Sequence, residues 1–192
     1  MILSNESIEK AVKEQTLKIE PFDRQSLGPM SIDLHLNDTI LQQIRKGIID
    51  PYKQETMDCF RSVKITKENP FVLNPGACIL GETMEKLGFS FKLGGYIGGK
   101  STIGRLFLRV ENAPWIEPGH GWPTPRPITL ELTNIGVNPV LLYPYMPITK
   151  LLLVQIDSSP SYLYDDVGRY SDGQMIPQAL VQRRDCKACH TH

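Results

Sequence analysis

The sequence of 192 residues lacks an excess of charge of either sign, since 21 Lys and Arg balance 21 Asp and Glu. A chain without net charge has no long-range field to attract nucleic acid or an anionic membrane surface, so neither is an expected partner. No stretch approaches the roughly 20 apolar residues of a membrane span. No basic segment followed by an apolar run marks a signal peptide, so we expect a cytoplasmic location.

Several catalytic motifs are also missing. The chain has no P-loop pattern, no dinucleotide-binding glycine pattern and no nucleophile elbow. The signature of zinc-dependent deaminases, an HxE segment with a PCxxC segment, is absent. Histidine is scarce, and outside the last three residues only His35 and His120 occur. His35 lies in an alternating segment, which favours a structural role. Any hydrolysis must therefore proceed without a protein-bound zinc of that kind.

The four cysteines do not indicate disulfides, because no secretory signal accompanies them. Residues 186–190, CKACH, have the spacing of a c-type haem attachment site, and two thiols with two imidazoles could hold zinc. The segment lies on a polar tail, so a frayed end is the simplest interpretation, with adventitious metal binding and a functional metal site as alternatives. We assign no metal ligand. One domain is expected at residues 1–180, with an arm at about 160–180, and a polar tail at 181–192.

The N-terminus predicts one short helix over residues 5–15. Ser4 is a good N-cap, because its hydroxyl can accept a hydrogen bond from a free amide of the first turn. Apolar spacing places Ile8, Ala11, Val12 and Gln15 on one face.

Beyond Pro21 the pattern changes to short alternating or apolar segments separated by Gly, Pro and Asn. No regular alternation with helices of 10–15 residues occurs, so a parallel α/β sheet is disfavoured and an antiparallel sandwich or barrel is expected. The predicted strands are 31–36, 62–66, 71–74, 77–81, 96–99, 128–133, 139–143 and 148–156, with a turn at Pro75 and Gly76.

The segment GGKSTIGR, residues 98–105, is the most informative. It follows a strand-like run and predicts a short helical turn that presents Lys100, Ser101 and Thr102, with Arg105 one turn beyond Ser101. A cation and two hydroxyls at this place suit a phosphate. The alternative is a capped helix with solvated charges.

Two carboxylates stand out. Glu117 lies in APWIEPG, where a Pro-Gly turn would hold it rigidly at a strand end, although an ordinary exposed turn has the same pattern. Glu131 lies in TLELT, where Leu130 and Leu132 point to one face and Glu131 to the other. Glu131 either faces water or acts as a general base in a pocket or subunit contact.

Taken in order, these segments resemble the dCTP deaminase and dUTPase superfamily, the deaminase branch most closely. The matching segments are the N-terminus with SIDLHL, GGKSTIGRLFL, APWIEPG, ITLELTN, residues 144–153, and a C-terminal arm with Tyr162, Arg169, Tyr170 and Gln174.

The resemblance implies a mainly β fold, a distorted jelly-roll β-barrel of the dUTPase-like type with a short N-terminal helix and a C-terminal arm. It also implies a homotrimer with active sites shared between subunits. The implied reaction is hydrolytic, zinc-free deamination of dCTP to dUTP and ammonia, with Mg²⁺ bound through the triphosphate. Some members continue to dUMP and pyrophosphate.

The resemblance also assigns roles to residues. Glu131 would accept a proton from the attacking water and pass it to the departing amine, while Ser101 and Arg105 would position that water and stabilise charge on the ring. The substrate would be bound by the following residues: Lys100, Ser101, Thr102, Ile103, Gly104 and Arg105; Ala113, Trp115 and Glu117 at the base and sugar; the backbone of Thr129 and Leu130 at the base edge; and Tyr162, Arg169 and Gln174 at the phosphates.

Some positions depart from the family pattern. Glu117 stands where Asp is usual, and its extra methylene displaces the carboxylate by about an ångström, which disfavours efficient cleavage to dUMP. Trp115 replaces an Arg common in members that stop at dUTP, which favours the dUMP-forming branch. Residues 119–127, with three prolines, indicate an ordered excursion at the trimer axis or the pocket rim. Lys150 stands where some relatives have Gln.

Two other functions compete with this interpretation. One is a dUTP pyrophosphatase without deaminase activity, favoured by the carboxylate at Glu117 and the absence of Arg at position 115. The other is a non-catalytic nucleotide-binding trimer, favoured weakly by an altered loop at 106–112 and by the excursion at 119–127.

Overall fold

The computed structural model describes residues 1–45, 47–110, 113–168 and 170. Within these ranges lie the helices α1 (Asn5–Lys13), α2 (Gln54–Met57), α3 (Ser101–Arg105) and α4 (Tyr164–Val167), and a 3-10 turn at Arg24–Ser26. The strands are β1 (Leu17–Glu20), β2 (Ile32–His35), β3 (Thr39–Gln43), β4 (Phe60–Lys64), β5 (Phe71–Leu73), β6 (Cys78–Glu82), β7 (Lys86–Phe89), β8 (Leu93–Gly99), β9 (Leu108–Arg109), β10 (Trp115–Ile116), β11 (Thr129–Asn134), β12 (Val140–Leu142) and β13 (Pro147–Gln155).

The described strands form four sheets. One has the order β10-β8-β13-β2, a second the order β4-β3-β6-β11-β9, and the pairs β1-β7 and β12-β5 complete the set. Every strand pairing is antiparallel. The predicted mainly β, antiparallel class is therefore confirmed.

One hydrophobic core connects these sheets to α1. The strands contribute alternate side chains to this core, and every second residue of β2 and β11 is buried. Its largest fully buried side chains are Phe89, Ile8, Leu17, Ile32, Leu34, Leu36, Ile40, Leu73, Leu87, Leu130, Leu132 and Leu142.

The N-terminal helix agrees with its prediction except at its end. Ser4 caps α1, and its Oγ accepts a 3.3 Å hydrogen bond from the Ser7 amide. Ile8 and Ala11 are buried as expected. The prediction was wrong for Gln15, which is exposed and has φ of 58°. The left-handed backbone ends the helix before Gln15 and turns the chain into β1.

All eight predicted strands correspond to observed strands, with shifts of up to three residues at their ends. The Pro75–Gly76 turn is also present, and Gly76 adopts a φ of +74° that favours glycine. Strands β1, β3, β7, β9 and β10 were not predicted from the sequence. Among described residues, no helix is long and apolar enough to cross a membrane.

Candidate active site

The predicted phosphate segment is a helical turn at the end of a sheet. Strand β8 ends at Gly99, Lys100 occupies the N-cap position, and α3 follows immediately. Ile103 points inward and is 4% exposed, which fixes the turn to the core. Ser101, Thr102, Gly104 and Arg105 are exposed. The turn therefore presents two hydroxyls and a guanidinium outward from a rigid base.

Lys100 does not cap the helix with its side chain, because an ammonium has no lone pair to accept from the free amides of the first turn. Its ammonium instead binds the carboxylate of Asp33 on β2. Lys150 on β13 donates a 2.7 Å hydrogen bond to the other carboxylate oxygen of Asp33. All three side chains are 21–34% exposed. Two cations thus share one anion beside the first turn of α3.

The electrostatics of Asp33 follow from these contacts. Burial alone would raise the pKa of Asp33, but the hydrogen bonds from Lys100 and Lys150 outweigh burial and lower the pKa below 3.8. The carboxylate is therefore charged at neutral pH, and the group of three carries one net positive charge.

The second predicted segment lies along the edge of the same sheet. Trp115 and Ile116 form β10 and pair with Tyr96 and Gly95 of β8. The Trp115 ring is 72% exposed and meets the Tyr96 ring edge-on, with centroids 5.0 Å apart. Glu117 follows as an exposed residue at the strand end, as predicted, and Ala113 precedes the strand, also exposed.

Glu131 occupies the face that its sequence pattern predicted. Leu130 and Leu132 are each 1% exposed, while Glu131 is half-buried on the opposite face of β11. Thr129, Leu130 and Glu131 lie opposite Glu82, Gly81 and Leu80 of β6. The backbone around Glu131 is thus held in a regular antiparallel ladder.

The helix α3 and Glu131 are connected through β9. Leu108 and Arg109 of β9 pair with Asn134 and Thr133 of β11. Glu131 lies three residues before Asn134, a rise of about 10 Å along the strand. α3 follows a strand of the four-stranded sheet, whereas Glu131 lies in the five-stranded sheet. The structure thus places α3 towards the far end of the Glu131 strand.

The arm residues are only partly covered by the structure. Tyr162 is 64% exposed and immediately precedes the α4 region. Arg169, Gln174 and the CKACH segment lie outside the described residues. The roles predicted for them stay predictions.

Sequence reasoning missed Asp33, which joins the two lysines. Its signal was available, because SIDLHL places Asp33 and His35 together on the polar face of one strand. The structural role predicted for His35 is confirmed, since its Nδ1 lies 2.6 Å from Glu85 Oε1, and its backbone amide donates to Oε2 of the same carboxylate.

Residues 2–156 match the model of a protein family described as dCTP deaminase-like. The chain belongs to this family. The match spans β1 to β13 and contains the α3, Glu117 and Glu131 segments described above. The family predicted from the order of the sequence motifs is therefore confirmed.

Individual relatives of this dCTP deaminase-like chain carry more specific names. A Salinispora arenicola protein named "dCTP deaminase, dUMP-forming" is 34% identical over 197 residues, covering 100% of this chain and 98% of that protein. A Corynebacterium kroppenstedtii protein of the same name is 36% identical over 185 residues, covering 93% and 96%.

A solved structure shares the fold. The 2'-deoxycytidine 5'-triphosphate deaminase of Agrobacterium tumefaciens superposes with a TM-score of 0.61 at 20% identity, covering 79% of this chain and 47% of that one. At this identity the likeness establishes architecture alone, which agrees with the fold that the motifs implied.

Proposed function

We propose that this chain deaminates dCTP to dUTP and ammonia and continues to dUMP and pyrophosphate. One observation carries the proposal: relatives aligned over nearly the whole chain are named "dCTP deaminase, dUMP-forming". The geometry is compatible with this, since a carboxylate on a regular strand and a cation-rich helical turn are the two groups that such a reaction needs. A dUTP pyrophosphatase and a non-catalytic binding trimer are less favoured.

The triphosphate would bind at the turn that begins with Lys100. The Ser101 and Thr102 hydroxyls can donate to phosphate oxygens, and the Lys100 ammonium supplies charge. Arg169, Gln174 and Tyr162 remain proposed contacts from the arm. Mg²⁺ would arrive bound to the triphosphate, because cations and hydroxyls around α3 suit phosphate oxygens and not a metal ion. The described residues contain no cluster of three or more acidic, His or Cys side chains that could hold one.

Deamination would use Glu131 as the base. Its carboxylate takes a proton from a water whose oxygen bonds to C4 of cytosine, and the proton then moves to the amino group, which leaves as ammonia when the C–N bond breaks. Ser101 and Arg105 would orient the water and stabilise the charge that develops on the ring. The backbone groups of Thr129 and Leu130 would hold the base edge beside Glu131.

The second hydrolysis would use the segment around Trp115. Ala113 and Trp115 would line the base and sugar, with the exposed Glu117 carboxylate beside them. A water that attacks the α-phosphorus displaces pyrophosphate and leaves dUMP. Glu117 replaces the usual Asp in this step, so its longer side chain must reach the same water from a backbone held by β10.

We propose a homotrimer with shared sites and a cytoplasmic location. Ser101, Thr102 and Arg105 of α3 are exposed, and α3 follows β8 of the four-stranded sheet, whereas Glu131 lies in the five-stranded sheet. An apolar surface is also exposed on the β5–β12 pair, where Val72 and Leu141 lie opposite each other and are 49% and 44% exposed. Association would bury this surface and bring complementary groups together.

The substitution Glu131→Gln tests the role of Glu131 as the general base, because it preserves the shape of the side chain and removes its ability to accept a proton. We expect ammonia release from dCTP to fall at least about a thousandfold, with dCTP binding retained within a few-fold. Glu68→Gln, in an exposed loop, is the matched control and should retain full activity. Retained deamination in Glu131→Gln would refute the assignment. Pyrophosphate from dUTP without ammonia from dCTP would favour the pyrophosphatase.

A further inference from the structure

The proline-rich excursion lies along β7 of its own chain. Leu87 and Arg126 exchange backbone hydrogen bonds of 2.8 and 3.1 Å, and the Phe89 amide donates to the His120 carbonyl at 2.9 Å. Lys18 on β1 donates a 2.8 Å hydrogen bond to the Pro123 carbonyl. The excursion is therefore an ordered element that continues the β1–β7 pair, and it extends up to Glu117, whose carbonyl accepts from the His120 amide at 3.2 Å.

The segment 161–168 is seated on this excursion. The Tyr164 amide donates a 2.9 Å hydrogen bond to the Pro118 carbonyl. Gly119 lies directly beneath, and a Cβ built there would meet the Leu163 Cβ at 2.5 Å. The His120 ring contacts the Tyr164 ring at a centroid distance of 5.5 Å. Backbone, glycine and ring contacts thus define one docking position.

An ion pair joins the same two segments. Arg126 Nη1 donates to Asp165 Oδ2 at 3.1 Å, and Nη2 donates to Oδ1, so the pair is bidentate. The Arg126 side chain is 13% exposed and that of Asp165 26% exposed. The guanidinium also lies 6.0 Å from the centre of the Tyr164 ring. A partly buried, two-point contact of this kind fixes orientation as well as distance.

We propose that Arg126 and Asp165 are positioning residues that hold Tyr162 at a fixed place relative to Glu117. Both ends are predicted substrate contacts, so the inference rests on the proposed function. Glu117 lies immediately before the excursion, and Tyr162 lies two residues before Tyr164 in the segment 161–168. The ion pair holds the excursion and this segment together. The pair acts through Tyr162 and touches no reacting atom itself.

The pair lends itself to a double-mutant cycle. Removing one partner leaves the other charge partly buried without its counter-charge, whereas removing both leaves two neutral groups. We therefore compare Arg126→Gln, Asp165→Asn and the double variant. Arg24→Gln is the matched control, because Arg24 also forms an ion pair, with Glu9, but its side chain is 80% exposed.

Two readouts are measured on the full chain: chymotrypsin cleavage after Tyr162 and Tyr164, and steady-state ammonia release from dCTP. Each single variant should accelerate cleavage about tenfold and raise KM about tenfold, with kcat changed less than about threefold. The double variant should be no worse than either single variant. Arg126→Lys, which keeps the charge, should have a KM between those of Arg126→Gln and the wild type. Arg24→Gln should match the wild type.

Two results would overturn the positioning role. One is unchanged cleavage and KM in both single variants, and the other is a double variant whose effects are the sum of the singles. Failure of the proposed function is distinguishable, because the wild type would then release no ammonia. The cleavage arm would still report whether the ion pair holds the segment. Thermal unfolding of each variant identifies one that fails to fold, in which case the remaining single variant decides.

Discussion

Lys150 and Asp33 lie directly opposite each other in the β13–β2 ladder and are joined by a 2.7 Å hydrogen bond. Lys150 also lies opposite Gly98, one residue before the end of β8, so the pair borders the start of α3. Lys100 completes the arrangement from that side. The ladder therefore places a second ammonium beside the predicted phosphate segment.

Replacing Asp33 tests how far this arrangement supports the fold. Asp33→Asn should lower the free energy of unfolding by about 1–3 kcal/mol, because two charge-assisted hydrogen bonds are weakened at a partly buried site. Lys64→Met is the control, since it breaks a 2.7 Å ion pair to Asp38 from an exposed position and should cost less. Urea unfolding of both variants measures the difference. Equal losses would show that the shared carboxylate gives no special support.

His120 should make stability depend on pH. Burial, assisted by the charge of Arg126 and opposed by Asp165, lowers the pKa of His120 from 6.5 to about 4. The ring also faces Phe89 and Tyr164, neither of which is charged there at acidic pH. Between these pKa values the unfolded chain binds a proton that the folded chain does not. The contribution of His120 to the free energy of unfolding is therefore fully present above pH 6.5. It falls by up to about 3 kcal/mol as the pH drops towards 4.

The measurement is urea unfolding of the wild type and of His120→Gln at several pH values from 4 to 7. As the pH falls, the free energy of unfolding of the wild type should decrease relative to that of the variant, because the variant carries no imidazole to protonate. Parallel stability curves would contradict the assignment of this slope to His120.

Gly119→Ala should release the segment 161–168. Gly119 has φ of +88°, and an added Cβ would meet the Leu163 Cβ, so both backbone strain and overlap oppose the change. Gly76→Ala is the matched control, since its φ is +74° but nothing lies within 4 Å of the added Cβ. Chymotrypsin cleavage after Tyr162 should accelerate about tenfold in Gly119→Ala. Equal cleavage in both variants would mean that docking tolerates the methyl group.

Much of this architecture could be predicted from local pattern. Alternation in SIDLHL predicted a strand at 31–36, in which Ile32 and Leu34 are buried. The pattern TLELT assigned Glu131 to the opposite face from Leu130. Strand β7 could not be predicted this way, because KLGF contains Gly88. The structure explains that glycine, since a Cβ there would meet the Gly121 carbonyl at 2.5 Å. Gly88 is needed because its backbone closely approaches a segment that is distant in the sequence, and the residues around Gly88 do not reveal this contact.

The candidate site likewise combines features that could be predicted from the sequence with features that could not. The outward display of Ser101 and Arg105 follows from helical spacing and could be predicted. The contact of Asp33 with Lys150 joins residues 117 positions apart and depends on which strands become neighbours. Arg126 and Asp165 likewise come from two segments whose own sequences indicate only turns. Pairings set by topology therefore remained beyond sequence reasoning, although the residue types at both ends were visible.

Shared active sites can be tested by mixing two inactive variants. Glu131→Gln and Arg105→Ala should each be inactive, because each removes one of the two predicted catalytic contributions. If these contributions come from different subunits, unfolding and refolding an equal mixture should restore about a quarter of wild-type activity, the share of sites with both groups intact. A mixture as inactive as its components, with confirmed subunit exchange, would mean that each chain builds its own site.

The most direct test of the central claim is a product assay with dCTP and Mg²⁺, with nucleotides separated by anion exchange and ammonia measured in parallel. We predict dUMP, pyrophosphate and one ammonia for each dCTP consumed, and loss of all three products in Glu131→Gln. Unchanged dCTP, with no ammonia released by the folded wild-type protein, would contradict it.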